Sequence, residues 1–262
     1  MRKKITPFQK EWDKLVKHEA VYLQKHKEKT DSRLNQLLGK KVPANLQNTL
    51  DSAFSKAFYL IFEKGTRIIE KTYKREDLEK TYQINEFAVQ IRGNRKSLKE
   101  FSKRAMGAGN VNLLISGVSG VGLGVLGIGL PDIVLFTGLM IKSIYEIALN
   151  YGFDYQEEKE KRFILLLIQG ALSYGNELER INIEVNHYIK NGSYYKDVDI
   201  ESCIKETAGY LSRELLYMKF LQGIPIVGAA GGVQDAIYMR QVVKYAEMKY
   251  RRRFYETLLP IV

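Results

Sequence analysis

Gly117–Asp154 reads GVSGVGLGVLGIGLPDIVLFTGLMIKSIYEIALNYGFD, and two patterns meet inside it. Between Arg104 and Lys142 the one charged residue is Asp132, and glycines punctuate the first half every two or three residues. A glycine inside a helix costs about 1 kcal/mol relative to alanine, so Gly117, Gly120, Gly124 and Gly127 call for compensation. Small residues three or four apart supply it by forming a smooth groove against which another helix packs closely. Pro131 then stops one helix and starts the next, since its fixed φ and missing N–H suit a first helical turn. Asp132 beside it caps free N–H groups and answers the positive end of the dipole. Leu135, Leu139, Ile141, Ile144, Tyr145 and Ala148 follow at helical spacing, and Gly152 suits a C-terminal cap. The stretch predicts a tight, glycine-lined helical hairpin.

A shorter version lies downstream, Ile224-Pro225-Ile226-Val227-Gly228-Ala229-Ala230-Gly231-Gly232-Val233-Gln234-Asp235-Ala236-Ile237. It too has a proline, clustered glycines and one Asp ahead of a long helical segment, which closes with Lys249-Tyr250-Arg251-Arg252-Arg253-Phe254. The spacings differ between the two, so an internal duplication is suggested rather than established.

Outward from the hairpin the chain reads as helix throughout. Pro7 to Lys29 carries Phe8, Trp12, Leu15, Val16, Tyr22 and Leu23 on one side. From Pro43, Leu46, Leu50, Phe54, Phe58, Ile61, Ile68 and Ile69 predict one long helix, with Gly65 as a kink or a point of close approach. Arg75–Arg92 and Arg95–Arg104 predict two helices broken at Gly93-Asn94. Tyr155 to Asn191 is one long helix or two, bending near Gly170 or Gly175, and Val198 to Leu221 is another. With no period-two strand and no Pro/Gly/Ser-rich linker, residues 1–262 predict a single all-α domain, a multi-helix bundle organised around two glycine-rich hairpins.

Gly127-Ile128-Gly129-Leu130-Pro131-Asp132, Ile144–Asp154, Ile224–Ala229 and Tyr250-Arg251-Arg252-Arg253-Phe254 resemble the EcsC family, with weaker matches at Glu11-Trp12 and Lys41-Val42-Pro43. The resemblance spans nearly the whole chain. It implies a bacterial protein, from a family named for a locus that also encodes an ABC transporter ATPase and its membrane subunit. It implies no established activity and carries over no catalytic residue.

The chemistry read from the residues is equally sparing. Gly122-Leu123-Gly124-Val125-Leu126-Gly127 matches G-x-G-x-x-G, but that fingerprint works after a strand, with an acid about twenty positions on. Here the next acid is Asp132. His18, His26 and His187 are scattered, and the lone Cys203 excludes an internal disulfide and most zinc clusters. Neither Gly117-Val118-Ser119-Gly120 nor Gly192-Ser193 is a nucleophile elbow. No cofactor is expected. Asp132, Asp154 and Asp235 remain as candidates. Helix capping explains each one. A polar interhelical network through Tyr145 or Arg240, or a carboxylate pair at Asp132 and Asp235 serving a hydrolase on a lipidic substrate, is the alternative.

Surroundings are read from charge. The net charge of +11 suits an anionic partner, either nucleic acid or lipid. No nucleic-acid recognition motif accompanies it. The Ala105–Pro131 stretch is uncharged and long enough to span hydrocarbon, although Asn110 and Asn112 open it and glycines add little transfer energy. MRKKITPFQKEW has no apolar run of the secretory kind. In the last helical segment Arg240, Lys244, Lys249, Arg251, Arg252 and Arg253 predict a basic face for an anionic leaflet. The expectation is a non-enzymatic accessory protein, cytoplasmic and peripheral at the inner face of the membrane, with a membrane-protein partner.

Overall fold

Thr6 sets the first helix: its hydroxyl accepts from the Gln9 N–H at 3.1 Å, and Pro7 follows at the first helical position of α1 (Pro7–Lys25). The computed structural model describes residues 6–28, 44–70, 73–92, 95–107, 131–221 and 232–258. Gly120, Gly124, Gly127, Pro225 and Gly228 of the two expected glycine-rich hairpins lie outside the described residues.

The second element is α2 (Ala44–Leu60), a π-helical turn (Ile61–Gly65) and α3 (Thr66–Glu70) in unbroken succession. At Gly65 the expected kink takes the form of this wider turn: the Thr66 N–H reaches back five residues to the Ile61 carbonyl. The extra residue re-phases α3, sending Ile69 into the core and bringing Glu70 within reach of Tyr155.

Helices α4 (Arg75–Arg92) and α5 (Arg95–Gly107) fall where the sequence places them. Helix α6 (Pro131–Asn150) ends in a Schellman motif. There Phe153 N–H donates to the Ala148 carbonyl at 2.9 Å and Gly152 N–H to Leu149 at 3.0 Å. Gly152 takes φ +81°, and the Tyr82 ring lies where a Cβ would sit. The window Ile133–Asn150 of α6 is long and apolar enough to cross a membrane by length and composition, and 72% of it is buried inside the bundle.

The predicted 155–191 helix is two, α7 (Glu158–Ala171) and α8 (Gly175–Asn191). The break falls before Gly175, which adopts φ +56° and donates its N–H to the His26 carbonyl at 2.9 Å. Gly170 stays helical, and its missing side chain makes room for the Tyr245 ring. From Phe163 to Ala171 every residue of α7 is buried, as expected of a core helix apolar all round. Helices α9 (Ile200–Leu221) and α10 (Gly232–Leu258) complete the described chain.

The protein is an all-α helical bundle. Helix α6 is covered by α2, α4, α5 and α10, and α7 by α8, α9 and α10; α10 therefore spans both halves of the core. The buried cluster runs from Phe8 to Leu258.

Candidate functional site

Two of the expected site residues, Tyr145 and Asp154, meet at one place. Tyr145 is buried on α6, and its ring stacks on Tyr155 with centroids 3.8 Å apart and planes 6° from parallel. The Tyr155 hydroxyl donates to Glu70 Oε1 at 2.7 Å and accepts from the Tyr73 hydroxyl at 2.7 Å. A hydroxyl–hydroxyl–carboxylate chain thus joins the end of α3 to the turn after α6. Burial raises the Tyr155 phenol to about 12, with Tyr73 drawing it back and Glu70 pushing it further, so all three tyrosines are neutral donors at neutral pH. The Tyr145 hydroxyl lies 3.5 Å from Thr66 Oγ1, a polar contact between α6 and α3.

Arg75 closes the cluster. Its Nε donates to Glu79 Oε1 at 2.6 Å and its Nη2 to Asp154 Oδ2 at 2.9 Å, while Nη1 stands 3.7 Å from Glu70 Oε1. Burial works against the guanidinium charge, but the bonds it donates to Glu79 and Asp154 outweigh it and raise its pKa. Asp154 therefore does not cap the following helix. Its Oδ1 accepts the Gln156 N–H at 2.9 Å within the turn, and the cap position of α7 is Glu157, which makes no side-chain cap bond. Sequence reasoning does not reach Glu70, Tyr73, Arg75 and Tyr155, because nothing in helical spacing ties residue 70 to residue 155.

The basic face expected on α10 is largely turned inward. Lys249 is 0% exposed and donates to Glu19 Oε1 at 2.6 Å and Asn186 Oδ1 at 2.8 Å. Arg252 donates to Glu19 Oε2 at 2.7 Å, and Asn182 and Asn186 donate to Oε1. Burial alone would raise Glu19; Lys249, Asn186 and Arg252 overcome it and hold the carboxylate at about 2. Burial pulls Lys249 down to about 8 against the attraction of Glu19, which leaves both partners charged at neutral pH.

Arg253 is enclosed a turn away. It donates to Glu160 Oε2 at 2.7 Å, and its guanidinium lies 4.0 Å from the Phe153 ring centroid, 5.0 Å from Phe163 and 5.3 Å from Tyr188. Burial pushes the Glu160 carboxyl up, and Arg253 and the Tyr250 hydroxyl, donating at 2.6 Å, draw it back. Arg251 is half-buried. Of the six basic residues expected at a leaflet, Arg240 and Lys244 are exposed. The signal for the others is present in the helix phase: Lys249 stands four after Tyr245 and seven after Val242, on a buried stripe, and Glu19 stands four after Leu15.

Pro131 and Asp132 occupy the first turn of α6, so Asp132 is a first-turn carboxylate rather than the residue before the helix. Asp235 is likewise the fourth residue of α10, past the cap position assigned to it. The side chains of Asp132 and Asp235, the expected carboxylate pair, lie outside the described part. Among the described residues no three His, Cys, Asp or Glu side chains are grouped to hold a metal ion. Cys203 is half-buried beside a cleft that Arg162, Tyr194 and Glu206 also line, and burial pushes its thiol up, away from the reactive thiolate.

A model of the EcsC protein family matches residues 9–254, nearly the full length of this bundle. The chain belongs to the EcsC family. It is 28% identical over 126 residues to the uncharacterized protein YdbA of Bacillus subtilis (strain 168), covering 47% of the chain and 45% of that relative. It is 25% identical over 142 residues to Protein EcsC of the same organism, covering 53% of the chain and 57% of that relative. The chain thus matches about half the length of each. No solved structure matches it.

Proposed function

We propose that this EcsC-family chain is a non-enzymatic interaction protein that works at the cytoplasmic face of the membrane in support of an ABC transporter. The observation that carries this reading is how the buried polar groups are used. Glu19, Lys249, Arg252, Glu160 and Arg253 are spent on one another across helix seams, and each carboxylate is matched by its own donors. Groups so matched rigidify a scaffold and are poorly placed to exchange protons with a substrate. The transporter enters through the locus for which the family is named.

Membrane fractionation with cross-linking tests the proposal. The chain should sediment with membranes at low salt and cross-link to a transporter subunit. A chain that stays in the soluble fraction and yields no such cross-link overturns it. Hydrolysis of a lipid ester that is lost in Asp132→Asn or Asp235→Asn would put the carboxylate-enzyme reading in its place.

A further inference from the structure

With Lys249, Arg252 and Arg253 committed to the interior, a lipid-facing surface has to be sought elsewhere, and one helical hairpin combines the necessary features. On α4, Ile84 is 66% and Phe87 63% exposed, three residues apart and so on one face. On α5, Lys96, Lys99 and Lys103 are all exposed and recur at spacings of three and four, one outward stripe. Two residues of sequence separate the helices, and they pack on each other while Val89, Leu98 and Phe101 anchor them to the core. From Lys80 to Arg104 the chain carries seven basic residues against two acids, Glu86 and Glu100. The sequence beyond carries no charge from Ala105 to Pro131.

We propose that the outward face of the α4–α5 hairpin, Ile84 and Phe87 with Lys96, Lys99 and Lys103, is a docking surface for an anionic lipid bilayer. This rests on the membrane-face reading above and names the surface that would serve it. Charge complementarity selects the occupant. A leaflet of anionic headgroups attracts a lysine stripe without demanding a matched pattern of acids, and the lysine stems lie along it with their ammonium groups at the headgroups. Two large apolar side chains on one turn fit the shallow insertion of an interfacial helix, a few ångströms into the headgroup boundary. Arg240 and Lys244 on α10 are basic and exposed, but the sequence stripe they share carries no comparable exposed large apolar residue among the described ones.

The test is sedimentation of the purified full chain with vesicles of phosphatidylglycerol and phosphatidylcholine, against phosphatidylcholine alone. Wild type should bind the anionic vesicles only. Each lysine at the surface strengthens partition about fivefold, so Lys96→Glu/Lys99→Glu/Lys103→Glu should weaken it about 100-fold or more. Ile84→Ser/Phe87→Ser should weaken it about tenfold or more through lost apolar contact. Both changes are at exposed positions, and unchanged helical circular dichroism shows that the fold survives. Arg240→Glu/Lys244→Glu should keep the wild-type partition. Full binding by the α5 triple variant, or loss confined to the α10 variant, overturns the proposal. So does a wild-type chain that ignores anionic vesicles yet binds native membranes until trypsin strips their proteins. That last outcome assigns attachment to a protein partner and leaves the interaction-protein reading standing. A chain that binds neither vesicles nor native membranes removes both.

Discussion

Glu19 and Lys249 stand 230 positions apart in sequence and meet at 2.6 Å, with the ammonium wholly out of solvent. The pair ties α1 to α10, and Asn182 and Asn186 bring α8 into the same knot. Removing one member of such a pair strands the other charge, which costs about 3–5 kcal/mol. Glu19→Gln should therefore destabilise the chain on that order in urea unfolding. Replacing both partners, as Glu19→Leu/Lys249→Met, should recover most of the loss, because no unpaired charge is left inside.

The pH dependence of that knot has a definite sign. The Glu19 carboxyl titrates at about 2 in the fold against 4.5 in its ordinary state, so between these values the unfolded chain binds more protons. Its contribution is full above pH 4.5 and is lost as pH falls through that window, on the order of 3 kcal/mol in all. Glu146 and Glu247 act in the opposite sense, since burial raises both to about 7 and their contributions fall as pH rises through the interval above 4.5. The stability gap between wild type and Glu19→Gln isolates the knot. As pH falls from about 4.5 toward 2 it should close.

Arg253 offers a sharper test of interior commitment. Arg253→Ala removes a guanidinium seated among Phe153, Phe163 and Tyr188 and strands Glu160, for a loss of about 3 kcal/mol or more in thermal or urea unfolding. Arg253→Lys should restore only part of it, because an ammonium has no plane to lay against the rings.

Two helical glycines should respond with opposite signs. A Cβ at Gly170 would sit 2.7 Å from Cε1 of the buried Tyr245 ring, so Gly170→Ala should destabilise by about 1–3 kcal/mol. At Gly209 nothing lies within 4 Å, and Gly209→Ala should stabilise by about 0.4–1 kcal/mol through the unfolded chain. Paired melting curves decide both.

The tyrosine cluster separates stacking from hydrogen bonding. Tyr155→Phe keeps the ring against Tyr145 but takes the acceptor from Tyr73 and the donor from Glu70, for a loss of about 1–2 kcal/mol. Tyr145→Phe breaks only a 3.5 Å contact with Thr66 and should cost less than about 0.5 kcal/mol. Urea midpoints for the two variants provide the comparison.

Helix positions are legible in the sequence because capping and periodicity are local. Pro7 and Gly152 bound elements where their backbone chemistry says they should, and Gly93-Asn94 lie outside the described residues. The π turn at Ile61–Gly65 shows in the sequence only as a glycine within a long apolar run, since a one-residue change of phase leaves the apolar spacing nearly intact. Partnerships are not legible. Arg251-Arg252-Arg253 reads as a surface cluster until the helix phase is traced back to Val242, and even then the phase does not name Glu19 or Glu160 as the acids that receive it. Long-range pairing depends on how helices cross, which no local pattern encodes.

Helix α10 touches α1, α6, α7 and α8, and a ribosome delivers it after all of them. At 5–20 residues per second, roughly 10–50 s separate the synthesis of Glu19 from that of Lys249. Until α8 brings Asn182 and Asn186 the acid has neither its amide donors nor its cations, and the faces of α6 and α7 that α10 covers stay open until α10 follows. Helix α10 therefore completes the core after the helices it covers have been made. Whatever a nascent chain meets in that interval meets a surface that the finished protein never shows.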